Sequence, residues 1–155
     1  MALIVSSLRF IPSDEYASRP ETDPISGWTY VRVARIQPAG VARTLSVGTL
    51  NIDVASDTRV LGFEIEMDTA RKNVAVDLPH DWETSPLVAM QVDDDIPNST
   101  VTQAYDANKG ILSLYLGDER GATKTWRLSP QVIAICSTER IVALHVLGVA
   151  APTSK

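Results

Sequence analysis

Cysteine, histidine and basic residues are all scarce in this sequence. Its 155 residues include one cysteine and two histidines, and 14 basic residues against 19 acidic ones give a formal net charge of −5. A lone cysteine cannot form an internal disulfide, so a reducing compartment is the simplest interpretation. The acidic balance argues against nucleic acid and anionic membranes as partners, because both require a basic patch.

Long apolar runs are also missing. No stretch approaches the roughly eighteen apolar residues that a membrane-spanning helix requires. The apolar residues Ala2 to Val5 are too few for the core of a signal peptide and carry no basic leader. The sequence therefore predicts a cytoplasmic protein without a membrane partner.

Convincing helical periodicity is absent as well. The nine prolines fall between the apolar runs or at their edges, where the missing N–H of proline does no harm to a strand. Hydrophobic residues make up 45 % of the chain, enough to build a core. The prediction is an all-β fold in one domain spanning residues 1–155.

An internal repeat organises the chain. Residues 40–65 align with residues 121–146 without a gap when 81 is added to each number, and five of the 26 pairs are identical. A period of about 80 residues is too long for a solenoid, so it indicates one four-strand unit used twice. The repeat predicts units at residues 1–66 and 86–149, joined by a linker at residues 67–85.

Two such units give about eight antiparallel strands. An open sheet of that size would leave two edges exposed, which favours aggregation. Closure removes the edges, so the sequence favours a closed or nearly closed β-barrel. A barrel of eight strands is wide enough to hold side chains or one small ligand. A sandwich of two sheets is the alternative.

The last strand of the second unit is apolar on both faces. Val142, Leu144 and Val146 alternate with Ala143 and Leu147. A strand covered on both sides is either central in the sheet or part of a subunit contact. We therefore expect a homodimer that uses this strand.

The first unit resembles a widespread bacterial family of small β-domains of unknown function. The resemblance rests on the stretches Gly40 to Val47, Asn51 to Val54 and Arg59 to Ile65, and Tyr105-Asp106 supplies the opening of the same pattern in the second unit. It implies a fold and no activity. A looser similarity of size and architecture links the chain to cofactor-free β-barrel cyclases of bacterial polyketide pathways, which belong to antibiotic biosynthesis.

Aromatic residues are the main candidates for a ligand site. Trp126 takes the place held by Leu45 in the first unit, Trp28 and Tyr30 begin one strand, and Tyr115 lies on the corresponding strand of the second unit. Rings that point inward could line an apolar cavity, with Tyr O–H or Trp N–H groups orienting a substrate oxygen. The simpler alternative is that they fill the core.

Two residues are predicted to carry catalytic roles, and one carboxylate is predicted to bind the ligand. His145 lies in the middle of an apolar strand, where it could act as a general base or be a satisfied core histidine. Tyr30 is predicted to orient the substrate, and Glu64 is predicted to contact the ligand together with Trp28, Tyr115 and Trp126.

Other reactive side chains favour structural roles. Cys136 has no neighbouring base and is expected to be a buried thiol. The segment His80 to Glu83 is expected to be a surface loop or a lid over a pocket, and the acidic run Asp93 to Asp95 a solvated turn. The spread of these residues predicts no metal site, and the absence of phosphate and dinucleotide motifs predicts no cofactor.

Two functions follow from these patterns. The first is binding of an apolar small molecule inside a small β-barrel, with cofactor-free cyclisation or isomerisation of a polyketide-type substrate as the accompanying reaction. The alternative is a non-catalytic protein-interaction module, of the immunity or regulatory kind, whose acidic surface captures a basic partner.

Overall fold

The structure is a computed structural model that describes residues 3–9, 19–23, 25–34, 40–67, 72–92, 101–117, 123–137 and 140–150. These ranges contain thirteen strands: β1 (Leu3–Arg9), β2 (Glu21–Thr22), β3 (Trp28–Arg32), β4 (Arg43–Val47), β5 (Leu50–Val54), β6 (Val60–Glu66), β7 (Lys72–Asn73), β8 (Ala89–Val92), β9 (Thr102–Asp106), β10 (Ile111–Tyr115), β11 (Lys124–Ser129), β12 (Val132–Ser137) and β13 (Arg140–Leu147).

The all-β prediction is confirmed. Apart from one 3₁₀ turn at Trp82–Thr84, the described part of the chain contains only strands and their connections. The strands outnumber the expected eight because each unit contributes five strands to its sheet and β1, β7 and β8 are additional. Two of the thirteen strands, β2 and β7, are only two residues long. They are too short to be recognised by alternation of apolar residues.

The strands form two sheets. The first sheet has the order β2-β3-β6-β5-β4, with every neighbouring pair antiparallel. The second sheet contains the same arrangement, β9-β10-β13-β12-β11, and adds β7 parallel to β9 and the pair β1 and β8 next to β13. Strand pairing within the described ranges forms no closed barrel.

The two five-strand arrangements also share a β-bulge. In the first sheet the register shifts between Asp53 and Val54 of β5, opposite β6. In the second sheet the shift lies between Ile135 and Cys136 of β12, opposite β13. A bulge tightens the local twist, so the same irregularity at the same place gives the two arrangements the same local geometry.

The gapless alignment of the repeat fails in one strand. Trp126 pairs with Ala134, whereas its counterpart Leu45 pairs with Ile52, so β12 is offset from β5 by one residue more than the sequence alignment gives. The extra residue is absorbed where the register of β11 and β12 shifts, between Arg127 and Ser129. A shift of one residue moves every side chain of a strand to the other face of the sheet. Ala134, and not Ile133, therefore takes the position of Ile52.

The first strands of the two units, β1 and β8, pair with each other. β1 pairs with the start of β13 through Leu3 and Ile4, and β8 bridges the start of β6 where Gln91 lies opposite Arg59. Since β1 and β8 are also antiparallel neighbours, each unit is tied to the other through its first strand.

One apolar core joins the two sheets. Ile52 and Phe63 from the first sheet and Leu114, Trp126 and Leu144 from the second belong to the same cluster of buried side chains. Side chains therefore fill the space between the sheets, and Trp126 is among them with only 3 % of its surface exposed.

Gly62 of β6 is required by the close approach of β3. A Cβ at this position would lie 2.8 Å from the carbonyl oxygen of Val31, which is closer than a real Cβ atom approaches another heavy atom. We expect Gly62→Ala to lower the free energy of unfolding by about 1–3 kcal/mol, measured by urea denaturation. Ala143 is the corresponding residue in β13, so Ala143→Gly is the control, and it should cost no more than about 1 kcal/mol. An unchanged midpoint for Gly62→Ala would contradict this packing.

No helix within the described ranges is long and apolar enough to cross a membrane.

Candidate ligand pocket

A segment that we call the strap, residues 74–85, crosses the outer face of the second sheet. Its first part is fixed by Val76, whose N–H donates to Oδ2 of Asp106 at 2.9 Å and whose carbonyl accepts from Nζ of Lys109 at 3.1 Å. Val76 packs against Ala104 and Ile111. Polar and apolar contacts together therefore hold the beginning of the strap on β9 and β10.

The end of the strap is fixed on β11. The carbonyl of Ser85 accepts from Nε of Arg127 at 2.8 Å. The next residues then run beside β11: the N–H of Arg127 donates to the carbonyl of Pro86, and the N–H of Val88 donates to the carbonyl of Arg127, both at 2.9 Å. The strap thus spans the sheet between two anchored ends.

Two cavities lie beside the strap and share Leu78 and Pro79 as a wall. The smaller has a volume of about 250 Å³ and is lined by Asp77, Leu78, Pro79, Tyr115, Thr123, Thr125, Ile135 and His145. The larger has a volume of about 530 Å³ and is lined by Leu78, Pro79, His80, Asp81, Trp82, Glu83, Thr84, Lys109 and Ile111. We call the smaller one the strap pocket.

His145 forms the floor of the strap pocket. Its Nδ1 lies 2.7 Å from Oγ of Ser113, the residue directly opposite it on β10. The edge of its ring contacts Tyr115, with 6.1 Å between ring centroids and an interplanar angle of 83°. Burial lowers the pKa of His145 from 6.5 to about 4, because an imidazolium in this environment would lose its hydration. The imidazole is therefore neutral at neutral pH.

This geometry favours hydrogen bonding over acid–base chemistry. A base whose pKa is about 4 is a weak proton acceptor at neutral pH. Ser113 is fully buried, so its hydroxyl is not placed to attack a substrate. A hydroxyl can donate to Nδ1 or accept from it, so Nε2, the second ring nitrogen, is a donor or an acceptor according to the tautomer.

Of the six residues predicted to form the site, the structure brings His145 and Tyr115 together in the strap pocket. Trp126 lies in the shared core, with Nζ of Lys124 4.5 Å from its ring centroid. The periodicity of β11 places the ring on the inner face, but the sequence does not reveal that neighbouring side chains fill the space around it.

The remaining three predicted residues lie together on the outer face of the first sheet. Tyr30 is directly opposite Glu64, and Trp28 is opposite Glu66 on the same two strands. Trp28 is 37 % exposed, so this set faces away from the core that was expected to hold a ligand. It is a separate surface from the strap pocket.

The other reactive side chains take structural positions. Cys136 is buried, and burial raises its pKa to about 12, so it is a thiol at neutral pH. His80 and Asp81 are exposed, with 3.2 Å between Nε2 and Oδ2, and they border the larger cavity. The run Asp93 to Asp95 lies outside the described residues. In the ranges that are described, no group of three or more His, Cys, Asp or Glu residues could hold a metal ion.

Sequence reasoning missed Thr125, one of the polar residues that line the pocket, and Ser113, which is hydrogen-bonded to His145. Their positions follow from pairing, since Ser113 lies opposite His145 on β10 and Thr125 lies opposite Ile135 on β11 and β12. The sequence gives no direct signal for such cross-strand neighbours until the register is known.

The attachment of the strap depends on Asp106. Backbone N–H groups of Val76, Lys109 and Asn108 donate to its carboxylate, and these bonds lower its pKa. We expect Asp106→Ala to accelerate amide hydrogen exchange at Val76 and along residues 74–85, because the acceptor at the start of the strap is removed. Exchange in β12 should be unchanged. Equal acceleration in β12 would mean that the whole sheet, and not the strap, is destabilised.

The comparisons with known proteins are negative: no family model matches this chain, and no curated protein and no solved structure matches it. The resemblance to a family of small β-domains therefore stays a prediction.

Proposed function

We propose that the protein binds a small, partly apolar molecule in the strap pocket. The observation that supports this most directly is the floor of the pocket, where a neutral His145 is held by Ser113 and flanked by Tyr115. Apolar walls with a few fixed polar groups are typical of small-molecule sites. Leu78 and Ile135 supply such walls here.

The size of the pocket limits the ligand. A volume of about 250 Å³ lies just below the range of about 300–1,000 Å³ usual for drug-sized molecules, so it suits a single ring or a short branched chain. The ligand would carry one hydrogen-bonding oxygen for His145 or Tyr115. A larger molecule would extend past Leu78 and Pro79 into the neighbouring cavity, where Trp82 and Lys109 are available.

Cyclisation or isomerisation of a polyketide-type substrate is the reaction that we associate with this site, and it would depend on positioning. Holding a flexible chain in a reactive conformation requires no strong base, which agrees with the low pKa of His145. Tyr115 O–H would stabilise developing negative charge on a substrate oxygen. Tyr30, on the other sheet, has no part in this proposal.

A binding experiment with a matched tyrosine control tests the proposal. Single-ring aromatic and alicyclic ketones and alcohols would be screened by saturation-transfer NMR, and dissociation constants would be measured by chemical-shift titration. Tyr115→Ala should weaken binding at least about tenfold, whereas Tyr30→Ala on the first sheet should leave it unchanged. Equal effects of the two variants, or binding of none of these compounds, would contradict a ligand site in the strap pocket.

The architecture that we propose is a two-sheet sandwich with a filled interior, because both sheets contribute side chains to one core. The homodimer remains a proposal with less support, since part of the apolar outer face that suggested it, at Leu147, packs against the cluster that includes Val76 of the strap. The interaction-module alternative has its own support in the outer face of the first sheet, which carries Glu64 and Glu66.

A further inference from the structure

A straight row of polar side chains crosses the outer face of the first sheet. The direct cross-strand partners, taken from β2 through β3, β6 and β5 to β4, are Glu21, Tyr30, Glu64, Asn51 and Ser46. Residues that lie directly opposite each other project to the same side of a sheet. The five side chains therefore form one continuous line on the outer surface.

Aromatic rings and carboxylates alternate at one end of this face. Tyr30 is opposite Glu64, and two residues along the same strands Trp28 is opposite Glu66. Glu66 is exposed, and Trp28 is 37 % exposed. A cation placed between such groups gains both a carboxylate partner and the face of an aromatic ring.

The charge of this face is negative. Among the described residues it carries the carboxylates of Glu21, Glu64 and Glu66 and the guanidinium of Arg32, and the carboxylate of Asp53 is buried beside them. Burial and the nearby charge of Asp53 raise the pKa of Glu64. A positive group bound beside Glu64 would relieve this repulsion, so the surface is electrostatically suited to a cationic partner.

The corresponding face of the second sheet shows the contrast. There the positions of Tyr30, Glu64 and Asn51 are taken by Ser113, His145 and Ile133, which are buried beneath neighbouring residues. On the first sheet Glu21, Ser46 and Glu66 are exposed to solvent. The two faces have the same strand order and opposite surface chemistry.

We propose that the outer face of the first sheet binds an extended segment of a basic protein partner, with lysine or arginine side chains at alternating positions. Residues 64 and 66 of one strand are separated by about 7 Å, twice the rise of a strand residue. Alternating side chains of an extended peptide have the same spacing. Each cation would therefore meet one carboxylate, with Tyr30 or Trp28 beside it.

This inference is independent of the strap pocket, which lies on the other sheet. It develops the interaction-module function by assigning the surface and the kind of partner. Nucleic acid would be repelled by the same carboxylates. A neutral oligosaccharide is the other ligand chemistry that stacks on exposed aromatic rings, and the test distinguishes it from a basic peptide.

The test uses two fluorescent peptides of identical composition. In one, four lysines alternate with four threonines, and in the other the four lysines form a block. Fluorescence anisotropy at low salt should show at least about tenfold tighter binding of the alternating peptide, because only this peptide matches the spacing of Glu64 and Glu66. Glu64→Gln/Glu66→Gln should remove this preference, and Trp28→Ala should weaken binding about threefold.

The control is Asp81→Asn/Glu83→Gln, which removes the same number of negative charges from exposed positions on the strap. It should leave the preference for the alternating peptide unchanged. The proposal is wrong if both peptides bind equally, if neither binds at low salt, or if the strap variant has the same effect as the Glu64/Glu66 variant. It is also wrong if neutral oligosaccharides bind at Glu64 and Glu66 while the peptides do not.

Discussion

Replacing Trp126 by alanine should lower the free energy of unfolding by about 3–5 kcal/mol, because it leaves a large cavity in the core shared by the two sheets. Trp126 is 3 % exposed and belongs to the same buried cluster as Ile52 and Phe63. The measurement is urea denaturation followed by far-ultraviolet circular dichroism. Small-molecule binding by the folded fraction should be retained, since the ring does not line the strap pocket.

Leu45 provides the matched control for this variant. It occupies the same position in β4 that Trp126 occupies in β11, but it is only partly buried. Leu45→Ala should therefore cost about 1 kcal/mol. If Trp126→Ala proved nearly neutral for stability but abolished binding of an apolar ligand, the interior would be a ligand cavity, and a filled core would be ruled out.

Acid should destabilise the protein through His145. Its pKa is 6.5 as a free side chain and about 4 in the folded protein. The unfolded chain therefore binds one more proton between these values, and stability falls as pH is lowered through this window. Because the ring is only 2 % exposed, the whole pKa difference counts toward stability. It corresponds to about 3 kcal/mol. This contribution should be fully present above about pH 6.5 and lost by about pH 4.

The pH effect is measured by comparing variants. His145→Gln should remove about 3 kcal/mol from the difference in unfolding free energy between neutral pH and pH 4. His80→Gln, the same substitution at an exposed side chain, is the control. Comparison with the unmodified protein is needed because the raised pKa of Glu64 acts in the opposite direction. An unchanged pH dependence in His145→Gln would mean that the imidazole is not buried in the folded state.

The internal repeat allowed much of the fold to be predicted from the sequence. Alternating apolar residues indicate β4, β5 and β6, the repeat assigns their counterparts β11, β12 and β13, and the structure pairs both sets in the same order. The register of β12 could not be obtained, because the extra residue near Ser129 is absorbed by a bulge and not by a visible gap in the sequence. Edge strands of two residues leave no periodic pattern.

The candidate site could be predicted only in part. His145 is an unusual residue within an apolar strand, so the sequence identified it, and Tyr115 was identified as an aromatic residue on the strand that corresponds to that of Trp28 and Tyr30. The strap could not be foreseen as the cover of the pocket, because its position depends on the tertiary contacts of Val76 and Ser85. Alternation also failed to show which face of the first sheet would meet solvent, and so Trp28 was assigned to an interior site.

The two sheets have the same framework and different outer chemistry. His145 takes the place of Glu64, and Tyr115 takes the place of Arg32. On the second face the strap is anchored by Asp106 and Arg127 and crosses residues that are apolar or neutral, beside the strap pocket. On the first face Glu21 and Glu66 are exposed to solvent and Glu64 is half-buried. One repeated unit can in this way provide a small-molecule site and a protein-binding surface.

Fluorine NMR of the protein labelled with 5-fluorotryptophan tests the account most directly, because the three tryptophans report on different regions. Trp82 is part of the strap, Trp28 lies on the outer face of the first sheet and Trp126 is in the core. We predict that a ligand long enough to extend from the strap pocket past Leu78 and Pro79 shifts the Trp82 resonance and that the alternating lysine peptide shifts that of Trp28, with Trp126 unaffected by either. A ligand-dependent shift of Trp126 alone would contradict the account and would place the binding site between the sheets.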